Sequence, residues 1–594
     1  TLSESVRALA IALSGTPGGD SVPLLLETLP LGIYDVAGNG NPIQSVSVLT
    51  EIADTIPPIP VGASINFGTG VIIVNASETI DTTPFSLLDL NLMFVSQAVN
   101  GRDISLIGDS TFPLGPVETR LDSIAVVAFD TTSFTITMTE AMRVSSVGLS
   151  NSAGLNGNNA GTNAIVDILT NAIIDVAQNR NPADVGLSVI EIPDTVRPTV
   201  LDATINYGTG IIHMYMSEPI DATSSSGLVG IVHQNRILFY EDNTTVLIDL
   251  ASGVLNQRDN SIVEIDLHES TRAVALQHSA TLGGDGSILM LSVLNSAMYD
   301  LYNNPSLLRN PFNLTETADI IPPTVLSITL DFNTGNLTLH MSETMDATPP
   351  QGNCYDSSTW LDPSASYGCP GSWLLDDSAL LELIETPGSR TNLIKLKSAN
   401  PSAGQHLAVP ESIDGTNLRL LLNEQARVAA LLQSGTPGGD GDALRLTVGR
   451  FFAHDLGRNW IISADHVDLI VTEIPDEVKP LVAYAEIHLD NGTVFIWMTE
   501  TLRLVPNSLM NSTLIRFSNL AETATVDNAT KVTLHDATMD YPNRNNGALV
   551  MTLPEDQRAK YIAQSGTSGG DGGTMFLEML PDAVQDMSFN KNNM

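Results

Sequence analysis

The chain has 594 residues, 43% hydrophobic and 16% charged, and its 26 Lys and Arg against 67 Asp and Glu give a formal net charge of −41. That length implies several domains and that hydrophobic content implies packed cores. The acidic excess argues against nucleic acid or anionic membrane as a partner, and no apolar run reaches the ~18–20 residues of a membrane span.

In chain order, the opening fragment places Val6, Leu9, Ala10 and Leu13 at i, i+3, i+4 and i+7, which predicts a short amphipathic helix. Ser14-GTPGGD20 ends it, because Gly supplies a left-handed C-cap and Pro blocks continuation. A strand around Leu24–Leu26 and an Asp35…Asn39 turn follow. Then comes Glu-x-x-Asp-x-x-x-Pro, which recurs at Glu51/Asp54, Glu191/Asp194, Glu316/Asp319 and Glu473/Asp476. The recurrence marks tandem repeats of domain length, with Pro stiffening each junction.

Each repeat then carries a strand ending in Ser-Glu or Thr-Glu: Gly70-VIIVNASE78, Gly210-IIHMYMSE218, Gly335-NLTLHMSE343 and Gly492-TVFIWMTE500. One alternating set is apolar in every copy, as in Ile72, Val74 and Ala76, and the other is mixed. Period two with one apolar face predicts a half-buried strand. A second alternating strand, such as Phe134, Ile136 and Met138, leads to Glu-x-x-Arg and another short helix, then a Gly-rich turn, a strand and an Asp-x-x-x-Asn turn. Strands with turn signals and one short helix per repeat predict mostly β structure. The expected form is tandem immunoglobulin-like β-sandwich domains arranged as an elongated rod.

The expected divisions are 1–53, the C-terminal part of a repeat; 54–193 and 194–318, full repeats; 319–475, a repeat with a Cys-containing insertion; and 476–594, a repeat lacking its last strand. The chain opens at Thr1 inside one repeat and stops inside another, so it is expected to be a slice of a longer protein.

These motifs together resemble the tandem immunoglobulin-like repeats of large extracellular surface and fibre proteins. They are most similar to those of mastigoneme-like proteins, which build hair-like appendages on algal flagella. The resemblance covers the whole chain. It implies a secreted structural subunit of a glycosylated filament or cell-surface appendage, acting by self-association and located outside the cell.

Modification fits that compartment. The two cysteines, Cys354 and Cys369, both lie in a polar insertion, and the expectation is a disulfide that staples it. Seven Asn-x-Ser/Thr sequons stand at Asn75, Asn243, Asn313, Asn336, Asn491, Asn511 and Asn528. Asn75 and Asn336 fall on the outward set of the repeated strand, where a glycan meets no core.

Catalysis is not expected, and no cofactor is required. Glu-x-x-Arg occurs five times at one structural position, which is ordinary ion-pair spacing on a helix. The Gly-rich turns lack the Lys-Ser/Thr of a phosphate loop. For metals, the junction residues Glu51, Asp54, Glu191, Asp194, Glu316, Asp319, Glu473 and Asp476 could join the Asp-x-x-x-Asn turns as hard oxygen ligands for Ca²⁺. The competing reading is that Asp and Asn only close turns. A Ca²⁺-dependent adhesin arm, or a carbohydrate-binding surface protein, is therefore the alternative function. Phe495 and Trp497, with His213 and Tyr215 in an earlier repeat, lie on the outward strand face and are expected at an interface, unless a loop of the same repeat covers them.

Overall fold

The computed structural model describes residues 1–594 apart from 107–124, 128, 151–162, 224–231, 348–380, 385–392, 398–404, 412, 450–451, 463–466, 520–530, 541–543 and 594. The chain divides into two compact units. One comprises residues 1–280 with 286–317, the other 281–285 with 318–594.

The predicted alternation is what the sheets use. Pro60–Asn66 and Val71–Ile80 form an antiparallel hairpin, and Thr131–Thr137 pairs on the far side of Val71–Ile80. The turn between hairpin strands needs a positive φ, which Gly70 supplies at 68°. Ile72 and Val74 are fully buried on one face, while Ile73 and Asn75 stand exposed on the other. The same three strands recur as Val200–Asn206, Ile211–Ile220 and Asn260–Asp266; as Val325–Asp331, Asn336–Met345 and Gly415–Leu422; and as Val482–His488, Thr493–Leu502 and Asn546–Thr552. A late strand returns parallel to the first hairpin strand in three repeats: Val185–Ile192, Thr315–Thr317 and Thr472–Ile474.

A second sheet covers the apolar face. In the repeat that begins at Asp194 its order is Val246–Asp249, Ile237–Tyr240, Met290–Val293, Arg309–Asn313. Phe239 and Leu291 on this sheet, and Ile212 and Met214 on the other, are fully buried. The fold is thus mostly β, a series of two-layer sandwiches, and in two repeats one strand, Val185–Ile192 or Gln405–Pro410, pairs with a strand of each layer.

A helix follows the third hairpin-sheet strand in each repeat: Glu140–Leu149, Glu269–Gln277, Glu424–Leu431 and Glu555–Ala563. Each begins at the predicted Glu, which suits the positive end of the helix dipole. Thr139 and Asn423 cap theirs by accepting the N–H of Met142 and of Ala426. In the opening fragment the helix forms over Glu4–Ala12, but Val6, Leu9 and Leu13 are exposed and Ala8 is the buried residue. The expected apolar stripe is therefore uncovered there. Residues 1–53 contribute only the two-stranded sheet of Leu25–Thr28 and Gln44–Val48, which is too little to bury it.

Candidate functional site at the repeat junctions

Each Asp-x-x-x-Asn turn folds on its own side chains. Asp175 Oδ1 accepts the Asn179 N–H at 2.7 Å, and Asp300, Asp455 and Asp586 repeat the bond to Asn304, Asn459 and Asn590. The Asn amide then donates to the carbonyl of the junction Asp: Asn179 to Asp54, Asn304 to Asp194, Asn459 to Asp319, Asn590 to Asp476, at 2.8–3.3 Å. So the junction Asp lies against the turn of its own repeat.

The third member is the Glu at the end of the long strand. Its strand breaks register with the neighbouring one there, between Tyr215 and Ile220 and at the matching places in the other copies. Ile80, Ile220, Met345 and Leu502 bridge directly to the turn residues Asp175, Asp300, Asp455 and Asp586. The result is four carboxylate clusters, Asp54/Glu78/Asp175, Asp194/Glu218/Asp300, Asp319/Glu343/Asp455 and Asp476/Glu500/Asp586, each with ligand-type oxygens within 4.8 Å of one another. Apart from Asp54, all twelve side chains are buried.

Within each compact unit the preceding repeat inserts an arginine. Arg143 Nη1 donates to Asp194 Oδ2 at 2.8 Å, and Nη2 lies 3.6 Å from Glu218. Arg427 does the same to Asp476 at 2.8 Å and Glu500 at 3.2 Å, and Arg7 to Asp54 and to Glu78. The same guanidiniums hold the Glu three residues back on their helix. Arg143 and Arg427 also donate to the carbonyls of Phe67 and Phe332 in the hairpin turns of their own repeats. One side chain therefore ties helix, hairpin and next repeat together.

The Gly-rich turn makes the second contact. Gly18, at φ 88°, packs so closely on the Asp175 turn that a Cβ would lie 1.8 Å from the Val176 carbonyl. Gly438, at φ 97°, packs on the Asp586 turn with a Cβ position 2.2 Å from the Met587 carbonyl. Only glycine fits both the conformation and the approach. The motif is thus a docking surface between consecutive repeats.

Charge does not balance at these clusters. Burial, then the neighbouring Asp194, pushes Glu218 up to about 9 against the pull of Arg143. Burial and Asp476 push Glu500 up to about 8, and burial raises Asp586 to about 6. Asp175, Asp300 and Glu78 are raised as well, burial being the largest cause in each. Three oxygens find no hydrogen-bond donor: Glu78 Oε1, Glu218 Oε1 and Asp586 Oδ2.

Of the predicted ligands, Asp54, Asp194, Asp319 and Asp476 enter the clusters, and the glutamates paired with them in sequence do not. Glu51 accepts the N–H groups of Gly15 and Leu24, and Glu473 those of Gly435 and Leu444. Glu191 accepts from Ala164 N–H and the Ser150 hydroxyl, Glu316 from the Tyr207 hydroxyl and Ala280 N–H. Each satisfies orphan donors of the repeat it ends. Residues 78, 218, 343 and 500 replace them.

Elsewhere, Asn75, Asn243, Asn313, Asn336, Asn491 and Asn511 are all exposed. Asn528, Cys354 and Cys369 lie outside the described residues. Phe495 and Trp497 are half-buried and stack on each other at 5.5 Å, and Trp497 meets Tyr484 at 5.2 Å. His213 and Tyr215 are also half-buried, and His213 Nε2 lies 3.2 Å from Glu264.

No family model and no curated protein matches this chain. Among solved structures, the chain is similar to native alpha-2-macroglobulin from Escherichia coli spanning domains MG0-NIE-MG1. Identity is 12%, over 65% of this chain and 97% of that one, with a TM-score of 0.18. It is also similar to the N-terminal eight Ig domains of Down Syndrome Cell Adhesion Molecule, at 8% identity over 87% and 54% of the two chains and a TM-score of 0.16. Scores this low carry no argument, and the sandwich assignment rests on the sheets described above.

Proposed function

We propose that the chain is a structural subunit of an extracellular or cell-surface assembly, a glycosylated filament or appendage built by self-association of tandem sandwiches. The observation that carries this reading is the repeated lock at the junctions. In both compact units, an arginine from one repeat is bonded to the Asp and Glu that open the next. A chain that spends buried ion pairs on holding neighbouring domains in register is suited to bearing load. Six exposed sequon asparagines and the aromatic stripe of Tyr484, Trp497 and Phe495 supply surfaces for glycan and for lateral contact. The mastigoneme-like character belongs to this proposal.

Sedimentation velocity of the purified chain over a wide concentration range tests it. Growth into large species with rising concentration is expected; a single monomeric boundary throughout would refute self-association. The second reading, a Ca²⁺-dependent arm, is favoured by the orphaned carboxylate oxygens in the clusters.

A further inference from the structure

We propose that the three-carboxylate clusters bind divalent cations of the hard, oxygen-seeking class, Ca²⁺ before others, one per cluster. The inference deepens the second reading above and rests on it for the cation's availability outside the cell.

Proximity alone carries no such claim, since acidic groups gather in many acidic proteins. Three further observations do. First, the groups are buried: Asp194, Glu218 and Asp300 are 4%, 5% and 2% exposed, and Asp476, Glu500 and Asp586 are 5%, 6% and 1% exposed. Carboxylates buried at this separation repel strongly when ionised, and either a proton or a cation must relieve them. Second, the cation already present is insufficient. Arg143 faces Asp194 and Glu218 but is shared with Glu140, so one guanidinium serves three acids before Asp300 is counted. Arg427 is shared in the same way with Glu424.

Third, three of these clusters each hold an orphaned oxygen. Glu218 Oε1, Asp586 Oδ2 and Glu78 Oε1 are buried and accept no hydrogen bond. The other groups in the first cluster are occupied by donors: Asp194 Oδ1 by the Val196 N–H, and Asp300 by Asn304 and the Tyr302 N–H. In the second, Asp586 Oδ1 takes the Ser588 and Asn590 N–H groups while Oδ2 takes nothing. A buried polar oxygen with no hydrogen-bond partner is costly. The orphan falls on the strand-end Glu in two copies and on the turn Asp in a third, so it recurs with the cluster.

The donor set selects the ion. All candidate ligands are carboxylate oxygens, with no His or Cys, which suits Ca²⁺ and disfavours Zn²⁺. Mg²⁺ demands near-ideal octahedral geometry and gives up its waters reluctantly, whereas these carboxylates are fixed by turn, strand end and junction. The three carboxylates of a cluster come from one repeat. In the clusters that open at Asp54, Asp194 and Asp476, a cation would therefore set the edge on which the arginine of the preceding repeat docks.

The test uses the full 594-residue chain stripped with chelator, titrated calorimetrically with CaCl₂ and separately with MgCl₂, alongside thermal unfolding with and without EDTA. The expected result is saturable Ca²⁺ binding at about four ions per chain and a higher Tm in Ca²⁺, with a Kd no weaker than the ~10⁻⁴–10⁻³ M of extracellular modules. Mg²⁺ should bind at least ~10-fold more weakly. E218Q and E500Q should each remove one ion, and the exposed control E27Q none. Each Glu→Gln change removes charge without volume, so the apo variants should fold, which far-UV circular dichroism verifies. Absence of saturable Ca²⁺ binding to the wild-type chain overturns the proposal, and so does a stoichiometry that both variants leave unchanged. Equal Mg²⁺ affinity overturns the choice of ion. Self-association is read separately by sedimentation, so a chain that binds Ca²⁺ and stays monomeric contradicts the filament reading and leaves this one standing.

Discussion

Arg143 and Asp194, 51 residues apart, meet at 2.8 Å with both side chains buried, and this one contact joins the helix of one sandwich to the first residue of the next. Removing one partner of a buried ion pair leaves an uncompensated charge, which costs about 3–5 kcal/mol. Arg143→Ala should therefore lower stability by about that amount. Arg143→Lys should recover only part, because an ammonium cannot reach Asp194 and the Phe67 carbonyl with the fixed fork of a guanidinium. Urea denaturation of the two variants, with Asp194→Asn to complete a double-mutant cycle, measures the coupling. Additive losses would mean that the pair does not hold the junction.

The Gly-rich turns give a sharper steric prediction with an internal control. Gly438 and Gly441 have nearly the same backbone, φ 97° and 101°, but a Cβ on Gly438 would strike the Met587 carbonyl while one on Gly441 would meet nothing within 4 Å. Gly441→Ala should cost only the ~1–2 kcal/mol of the left-handed conformation. Gly438→Ala should cost ~1–3 kcal/mol more for the clash. Differential scanning calorimetry of the two variants compares them. Equal losses would show that the close approach to the Asp586 turn carries no weight.

Much of this architecture was legible in the chain. Period-two alternation located the hairpin strands because one face had to be buried, and the Glu that starts each helix was placed by the dipole it serves. The clusters were half legible. Asp54 and its counterparts stood out through their Pro-punctuated motif, and the Asp-x-x-x-Asn turns through their spacing. The strand-end glutamates carry a subtler signal: continuing the inward set Ile72, Val74, Ala76 by two residues arrives at Glu78, so in every copy a carboxyl sits on the core face. Glu51 stands beside Asp54 in sequence, yet its side chain turns back to accept the N–H groups of Gly15 and Leu24. The reach of Arg143 was hidden for a related reason. Its i,i+3 spacing accounts for Glu140, and the partner in the following repeat exists only once both sandwiches have folded.

Acid sensitivity can be assigned at Glu578, whose carboxyl pairs with Arg516 and lies 3.0 Å from Lys531. Arg516 chiefly, opposed by burial and helped by Lys531, holds its pKa below the ordinary 4.5. A carboxyl with a depressed folded-state pKa stabilises above its unfolded pKa and loses that contribution as pH falls through the folded value. Glu578→Gln should therefore lower Tm at pH 7, and the gap from wild type should close as pH drops below 4.5. A gap that persists undiminished at pH 2 would show that packing, not charge, is responsible.

Trp497 tests lateral assembly. It stacks on Phe495 and Tyr484 on the outward face of its sheet and is only half-buried there, so its removal should spare the core beneath, where Val494 and Ile496 are fully buried. Trp497→Ala should keep the far-UV spectrum and weaken self-association by at least ~10-fold, in keeping with the role of aromatic anchors at interfaces. Unchanged association in sedimentation would place the contact elsewhere.

The most direct measurement of the structural role is electron microscopy of the native material, labelled with an antibody raised against this chain. The account predicts label at regular intervals along extracellular filaments or surface appendages. Label confined to dispersed, unassembled particles would contradict it.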